Sequence, residues 1–257
     1  MNGTFTPAPG AAPMPRMVAA QARMETRLLL RNGEQLLLAV VIPLMVLLGG
    51  LLASRRVDLP LEGRPVDLLV PGVLALAVMS TSFTSLAIAT GFERRYGVLK
   101  RLGSSPLPRS GLLVGKVGAL LVVEALQLLV LGGAGLLLGW SPAISLAGLL
   151  GALLVALLGT AAFASLGLLL AGTLRAEATL AAANLVYLLL LAGGAVVLPA
   201  ASYGAAGPAL AWLPSGALGE GLRATLIDGS FPALPLLVLV AWTGAGTLLT
   251  ARTFRWE

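Results

Sequence analysis

An all-α membrane protein is the fold class this sequence predicts, on three observations. Of 257 residues, 58% are hydrophobic and only 11% charged, less than half the roughly 25% charge of a soluble domain. Apolar runs of about twenty residues recur along the chain, the length a helix needs to cross about 30 Å of hydrocarbon. Cysteine and histidine are both absent. Disulfides, thiol nucleophiles, Cys/His zinc sites, histidine-ligated haem and imidazole-based triads are thereby excluded.

Residues 1–15 are rich in Pro, Gly and Ala; they are expected to form a disordered tail and carry no signal-peptide pattern. Residues 16–257 are read as a single transmembrane domain. It opens with RMVAAQARMETRLLLRNGEQ (16–35), where Met17, Ala20, Met24 and Leu28 recur at helical spacing while Arg16, Arg23, Arg27 and Arg31 lie elsewhere around the helix. This spacing predicts an amphipathic interfacial helix in the headgroup region, with an ordinary solvent-facing helix as the alternative.

Six spans follow, at about 36–53, 70–92, 111–138, 143–172, 178–199 and 232–251, each long enough to cross a bilayer. Pro43 is expected to kink the first, which neighbouring helices tolerate. Trp140-Ser141-Pro142 predicts a short turn between the third and fourth spans, with Pro142 starting the next helix. Residues 200–231 have no apolar run long enough for a crossing and are too apolar for a plain loop. Broken by Pro208 and Pro214, they predict short re-entrant helices between spans five and six, with Ser215 as a cap and Asp228-Gly229 as a stop.

Charge sets the expected orientation. With the N-terminus inside, all but Arg55, Arg56, Arg64 and Arg223 of the 17 Lys and Arg residues fall on the cytoplasmic side, so both termini are predicted to be cytoplasmic in a multi-pass inner (cytoplasmic) membrane protein. The same asymmetry accounts for the net charge of +6. No RNA-binding aromatic motif or zinc-finger spacing accompanies it, so nucleic acid is not an expected partner.

The densest basic run is GFERRYGVLKRLGSSPLPRSGLLVGK, residues 91–116. It predicts a short helix over about 93–103, with Tyr96, Leu99 and Leu102 along one side and Val98 beside them. Arg94, Gly97, Lys100 and Arg101 fall around the rest, Gly103 serves as a cap, and Pro106 prevents continuation. Anchoring to lipid headgroups is one reading. Docking to a cytoplasmic partner is the better one, because the glycines break the amphipathic face and the Ser-Ser-Pro-Leu-Pro tail is rigid.

Over nearly its whole length the chain resembles the type-2 ABC exporter permeases, the membrane subunits of drug, lipid and polysaccharide exporters. The resemblance rests on LLLRNGEQLLLAVVIPLMVLL (28–48), the FERRYGVLKRLGSSPLPRSGLLVGK block, the six spans and AWLPSGALGEGLRATL (211–226). It implies that 93–103 is the coupling helix, with Glu93, Arg94, Arg95, Tyr96, Gly97, Leu99, Lys100 and Arg101 in contact with the ATP-hydrolysing subunit. It also implies two ATP-binding cassette subunits and a second permease copy, identical or similar, as partners beside membrane lipids. ATP and Mg would be bound by the partner subunit, with no cofactor in this chain.

Gly111-Leu-Leu-Val-Gly115-Lys116-Val117 imitates a Walker A loop but has three intervening residues instead of four and no hydroxyl after the lysine. No ATPase activity is therefore expected of this chain alone, and Lys116 is read as a snorkelling interfacial residue. Glu124 stands deep in the third span, with Gln127 one turn on as its expected hydrogen-bond partner. Burying such a charge costs on the order of 3 kcal/mol, so it either lines a path or gate or forms an interhelical clamp. The hydroxyls of Ser80–Ser85 are read mainly as packing contacts and back-bonds to carbonyls. By resemblance, the second and fifth spans flank a central path, which makes Phe83, Asn184 and Tyr187 further lining candidates.

The function expected is a permease subunit of an ATP-driven exporter of amphipathic cargo, such as a drug, lipid or glycolipid. An ion-gradient-driven secondary transporter is the alternative; it calls for more intramembrane charge and for internal repeats.

Overall fold

The computed structural model describes residues 10, 12–56, 63–102 and 105–254, without the side chains of 34–36, 38 and 109. Most of the expected tail and the expected cap Gly103 lie outside the described residues. Every regular element among them is helical, as lipid demands of a chain that must satisfy its backbone internally.

Helix α1 (Met14–Arg31) has Pro15 in its first turn, where a missing N–H costs nothing. After Asn32, α2 (Gly33–Ser54) runs on through Pro43 as one helix. The next crossing is a composite of α3 (Pro65–Met79), a π-helical segment (Ser80–Ser85) and α4 (Leu86–Arg95). After a turn come α5 (Val98–Leu102), α6 (Arg109–Leu137), α7 (Leu146–Thr173) and α8 (Ala176–Gly193). An irregular stretch then leads through a 3₁₀ turn (Ala200–Ala206) and the one-turn α9 (Gly207–Leu210) into α10 (Pro214–Leu226) and α11 (Ala233–Thr253).

Five stretches among the described residues are long and apolar enough to span a membrane: Pro65–Arg95, Ser110–Leu137, Leu146–Thr173, Ala176–Gly193 and Ala233–Thr253. They coincide with the second to sixth predicted spans. The first predicted span falls in α2, whose described apolar part is the shorter Ala39–Ser54.

The α3–π–α4 crossing is the axis of the bundle. Residues 69–79 are buried without interruption, enclosed by α2, α6, α7 and α10. Small residues permit the close approaches. A Cβ on Gly167 of α7 would lie 2.8 Å from the Phe83 carbonyl oxygen, so only glycine lets α7 press against the π-helical segment. Along α11, Thr250 Oγ1 donates to the Ser165 carbonyl at 2.8 Å, where Gly246 meets the Ser165 side chain.

Two predicted starts and stops move. Pro142 does not open α7; Ser145 does, its hydroxyl accepting from the Gly148 N–H at 2.9 Å. Ser145 also donates to the Gly229 carbonyl at 2.6 Å, which ties the cap to the loop before α11. Ser215 does not cap α10 either. Leu213 precedes that helix, and Ser215, inside it, donates to the Gly194 carbonyl at 2.7 Å.

Candidate functional site

At the end of the bundle that carries α5, the predicted continuous helix 93–103 is broken. Glu93, Arg94 and Arg95 complete α4, Tyr96 ends it, and Gly97 turns the chain with φ +68° before α5 begins. That backbone region is open to glycine and strained for any residue bearing a Cβ, so Gly97 sets a corner where the sequence suggested helix. Leu99 is buried, packed in one cluster with Leu107 and Leu112 and flanked by Met17 and Val18 of α1. Arg95, Tyr96, Val98, Lys100 and Arg101 are exposed, with Tyr96 65% accessible and stacked on Phe92 at 6.2 Å. Arg94 Nη2 donates to the Leu174 carbonyl, and Arg95 pairs with Glu177 at the start of α8. The corner is thereby tied to the α7–α8 junction.

Lys116 does not snorkel. Its side chain is only 5% exposed, and Nζ donates to Glu25 Oε1 at 2.8 Å and to Glu93 Oε1 at 2.6 Å. Gln21 Nε2 adds a bond to Glu25 Oε1 at 2.8 Å. A glycine ladder makes this possible, since α1 lies against Gly111, Gly115 and Gly118 of α6, and a Cβ on Gly115 would meet Gln21 Cγ at 2.7 Å. Three elements distant in sequence thus meet in one ionic knot: α1, the end of α4 and the first turns of α6. The face of α1 that docks is Val18, Gln21, Ala22, Glu25 and Leu29; Met24 and Leu28, predicted as its apolar face, are 42% and 59% exposed. Glu93, expected to touch a partner, spends one carboxylate oxygen on Lys116, and its other oxygen is buried without a donor among the described residues.

Midway through α6, Glu124 and Gln127 do not bond each other. Thr160 of α7 donates to Glu124 Oε2 at 2.6 Å, and Glu124 Oε1 is buried without a partner among the described residues. Gln127 accepts from Thr81 Oγ1 at 2.8 Å and donates to the Ala39 carbonyl at 2.9 Å, joining α2, α6 and the π-helical segment. Phe83 is buried edge-on against Phe163, ring centroids 6.2 Å apart. Ser82 back-bonds to the Val78 carbonyl at 2.6 Å, as read from the hydroxyl run. Asn184 is exposed on α8, and Tyr187, half-buried three residues on, bonds the Ser80 hydroxyl. The five candidate path residues therefore divide: Phe83, Glu124 and Gln127 are packed inside the bundle, Tyr187 packs against it, and Asn184 is exposed.

Arg223 is marked in the sequence only as one of the four basic residues expected off the cytoplasmic side. It is 4% exposed, and its guanidinium donates to four successive carbonyls, Ala195 at 2.9 Å, Val196 at 3.2 Å, Val197 at 3.1 Å and Leu198 at 3.2 Å, and to Glu220 Oε1 at 3.1 Å. Glu220 in turn accepts from the Ala200 N–H at 2.7 Å. Backbone leaving α8 without regular structure is thus satisfied by one fork of N–H donors, as buried backbone carbonyls require. The signal available beforehand was an arginine in a segment too apolar for a plain loop. Among the described residues no three acidic side chains cluster as a metal site would.

Five long apolar helices, with a glycine corner and a short basic helix at one end of the bundle, describe a multi-pass membrane protein. Residues 65–252 match the family model described as ABC-2 family transporter protein, and the chain belongs to that family. It is a membrane subunit of an ABC transporter, a class whose ATP-binding cassette is carried by a partner. No curated protein matches it.

Proposed function

We propose that this chain is the permease half of an ATP-driven exporter, pairing with a second identical or similar copy and with two ATP-binding cassette subunits that hold ATP and Mg. In this reading α2 supplies the sixth crossing, both termini are cytoplasmic, and the membrane is the inner one. The single observation that carries it is the corner at Tyr96–Gly97. It presents exposed Arg95, Tyr96, Lys100 and Arg101 from a helix held by buried Leu99. A lever must be both exposed to its driver and fixed to what it moves. Here the fixing runs through Glu93–Lys116 into α6, through Arg94 to the end of α7 at Leu174, and through Arg95 into α8.

Cargo is proposed to be amphipathic and to pass along the open side of α8, where Asn184 and Tyr187 stand among the exposed Leu180, Leu185, Leu188 and Leu189. Outward transport follows the resemblance to exporter permeases. The test is ATP hydrolysis by a separately purified cassette subunit, measured with and without this chain in proteoliposomes. Stimulation is expected with the wild type and is expected to fall at least tenfold for Tyr96→Ala with Lys100→Glu, both exposed positions whose change leaves the core intact. Undiminished stimulation by that variant would remove the corner from the contact.

A further inference from the structure

We propose that the outward face of α1 is a binding surface for the headgroups of anionic phospholipids. Arg16, Arg23, Arg27 and Arg31 all project from the side of α1 opposite Glu25 and are exposed. Together with Met24 and Leu28 they line a shallow groove of about 520 Å³. Among the described residues none of the four makes an ion pair, although Arg64, Arg95, Lys116 and Arg223 all do. The one acidic residue of α1, Glu25, faces the other way and is committed to Lys116. Four arginines with no counter-charge among the described side chains make a positive strip, roughly 22 Å long at 1.5 Å per residue, which spans more than one headgroup.

Two further features favour lipid over an acidic protein. Met24 and Leu28, 42% and 59% exposed, sit among the arginines, so the face offers apolar and cationic groups side by side. Phospholipid supplies the matching pair, acyl chain beside phosphate. The helix also lies along Gly111–Gly118 at the beginning of the α6 crossing, which puts it at the boundary of hydrocarbon and headgroups. Its inner face is fixed by the Lys116 knot and by the glycine contacts, so the strip is rigid before lipid arrives and little ordering is lost on binding. The planar guanidinium is the side chain suited to bidentate phosphate contact. This surface stands or falls independently of the transport reading.

The full-length chain, purified in detergent, is titrated with phosphatidylglycerol or phosphatidylcholine and the bound lipids are counted by native mass spectrometry. Phosphatidylglycerol is expected to bind at least tenfold more tightly, given the attraction of each basic residue to an anionic surface, with a preference that weakens in high salt. Arg16→Gln, Arg23→Gln, Arg27→Gln and Arg31→Gln combined should abolish the preference, whereas Arg55→Gln with Arg56→Gln, after α2, should keep it. If the fourfold variant is not recovered, Arg23→Gln with Arg27→Gln should lose the larger part of it. Equal binding of the two lipids overturns the proposal, as does a preference that survives in the α1 variants. Displacement of the lipid by millimolar inorganic phosphate marks a free-phosphate site instead, and a wild type that takes up no lipid but changes oligomeric mass in the variants marks a protein partner. Either result also overturns it.

Discussion

Replacing Lys116 by methionine keeps the length and apolar stem of the side chain and removes only its charge. In the wild type that charge lies 2.8 Å from Glu25 and 2.6 Å from Glu93, with the three side chains 5%, 12% and 23% exposed. Without it two carboxylates face each other in a nearly dry site. Breaking a buried ion pair from one side costs about 3–5 kcal/mol, and the partial exposure of Glu93 argues for the lower end. A snorkelling lysine at the surface would be worth only about 0–1 kcal/mol. The two carboxylates against one ammonium also predict an asymmetry. Glu25→Gln leaves a balanced Lys116–Glu93 pair and an amide able to bond, so it should cost about 1 kcal/mol, the scale of one hydrogen bond. Adding Glu25→Gln to Lys116→Met should recover part of the loss, giving a coupling of at least about 1 kcal/mol in a double-mutant cycle. The assay is unfolding in mixed micelles followed by circular dichroism. A Lys116→Met variant within about 1 kcal/mol of wild type, or one unaffected by Glu25→Gln, would refute the ionic knot.

Arg223→Lys should destabilise the chain by about 3 kcal/mol or more in the same assay, because one ammonium cannot reach four carbonyls spread over Ala195–Leu198. Proteolysis within 194–206 should rise with it. Gly72→Ala would drive a Cβ into the Val197 carbonyl, whereas Gly49 has nothing within 4 Å. The first should cost about 1–3 kcal/mol, and Gly49→Ala should be neutral or stabilising by up to about 1 kcal/mol. Gly97→Ala, at φ +68° with open space around it, should cost about 1–2 kcal/mol through backbone strain alone and lower partner-stimulated ATP hydrolysis more than Gly49→Ala does.

The crossings were legible because hydropathy and length are local quantities. A run that must cross hydrocarbon must also be helical, so α6 at Arg109–Leu137 and α11 at Ala233–Thr253 lie within two residues of their predicted bounds. The amphipathic helix before the first crossing was legible too, though not which of its faces docks. Helical spacing alone cannot say whether Met24 or Glu25 faces protein, because a neighbouring charge turned the polar side inward. The corner at Gly97 was hidden by a propensity argument that treated the glycine as a defect in a helix. Its positive φ turns the chain into α5, whose Leu99 packs with Leu107 and Leu112.

Composition and the length of apolar runs alone determined that this chain is a helical membrane protein without thiol or imidazole chemistry, and where most of its crossings fall. The partners of its buried charges were decided only in three dimensions. Lys116 meets carboxylates 91 and 23 residues away, and Arg223 reaches back 25 to 28 residues to bare carbonyls. In a medium that offers no water, an ion or an open stretch of backbone is tolerable only where a complementary group is brought to it. The helix packing that brings those groups together, through glycines that admit close approach, depends on contacts between elements that no local window of residues contains.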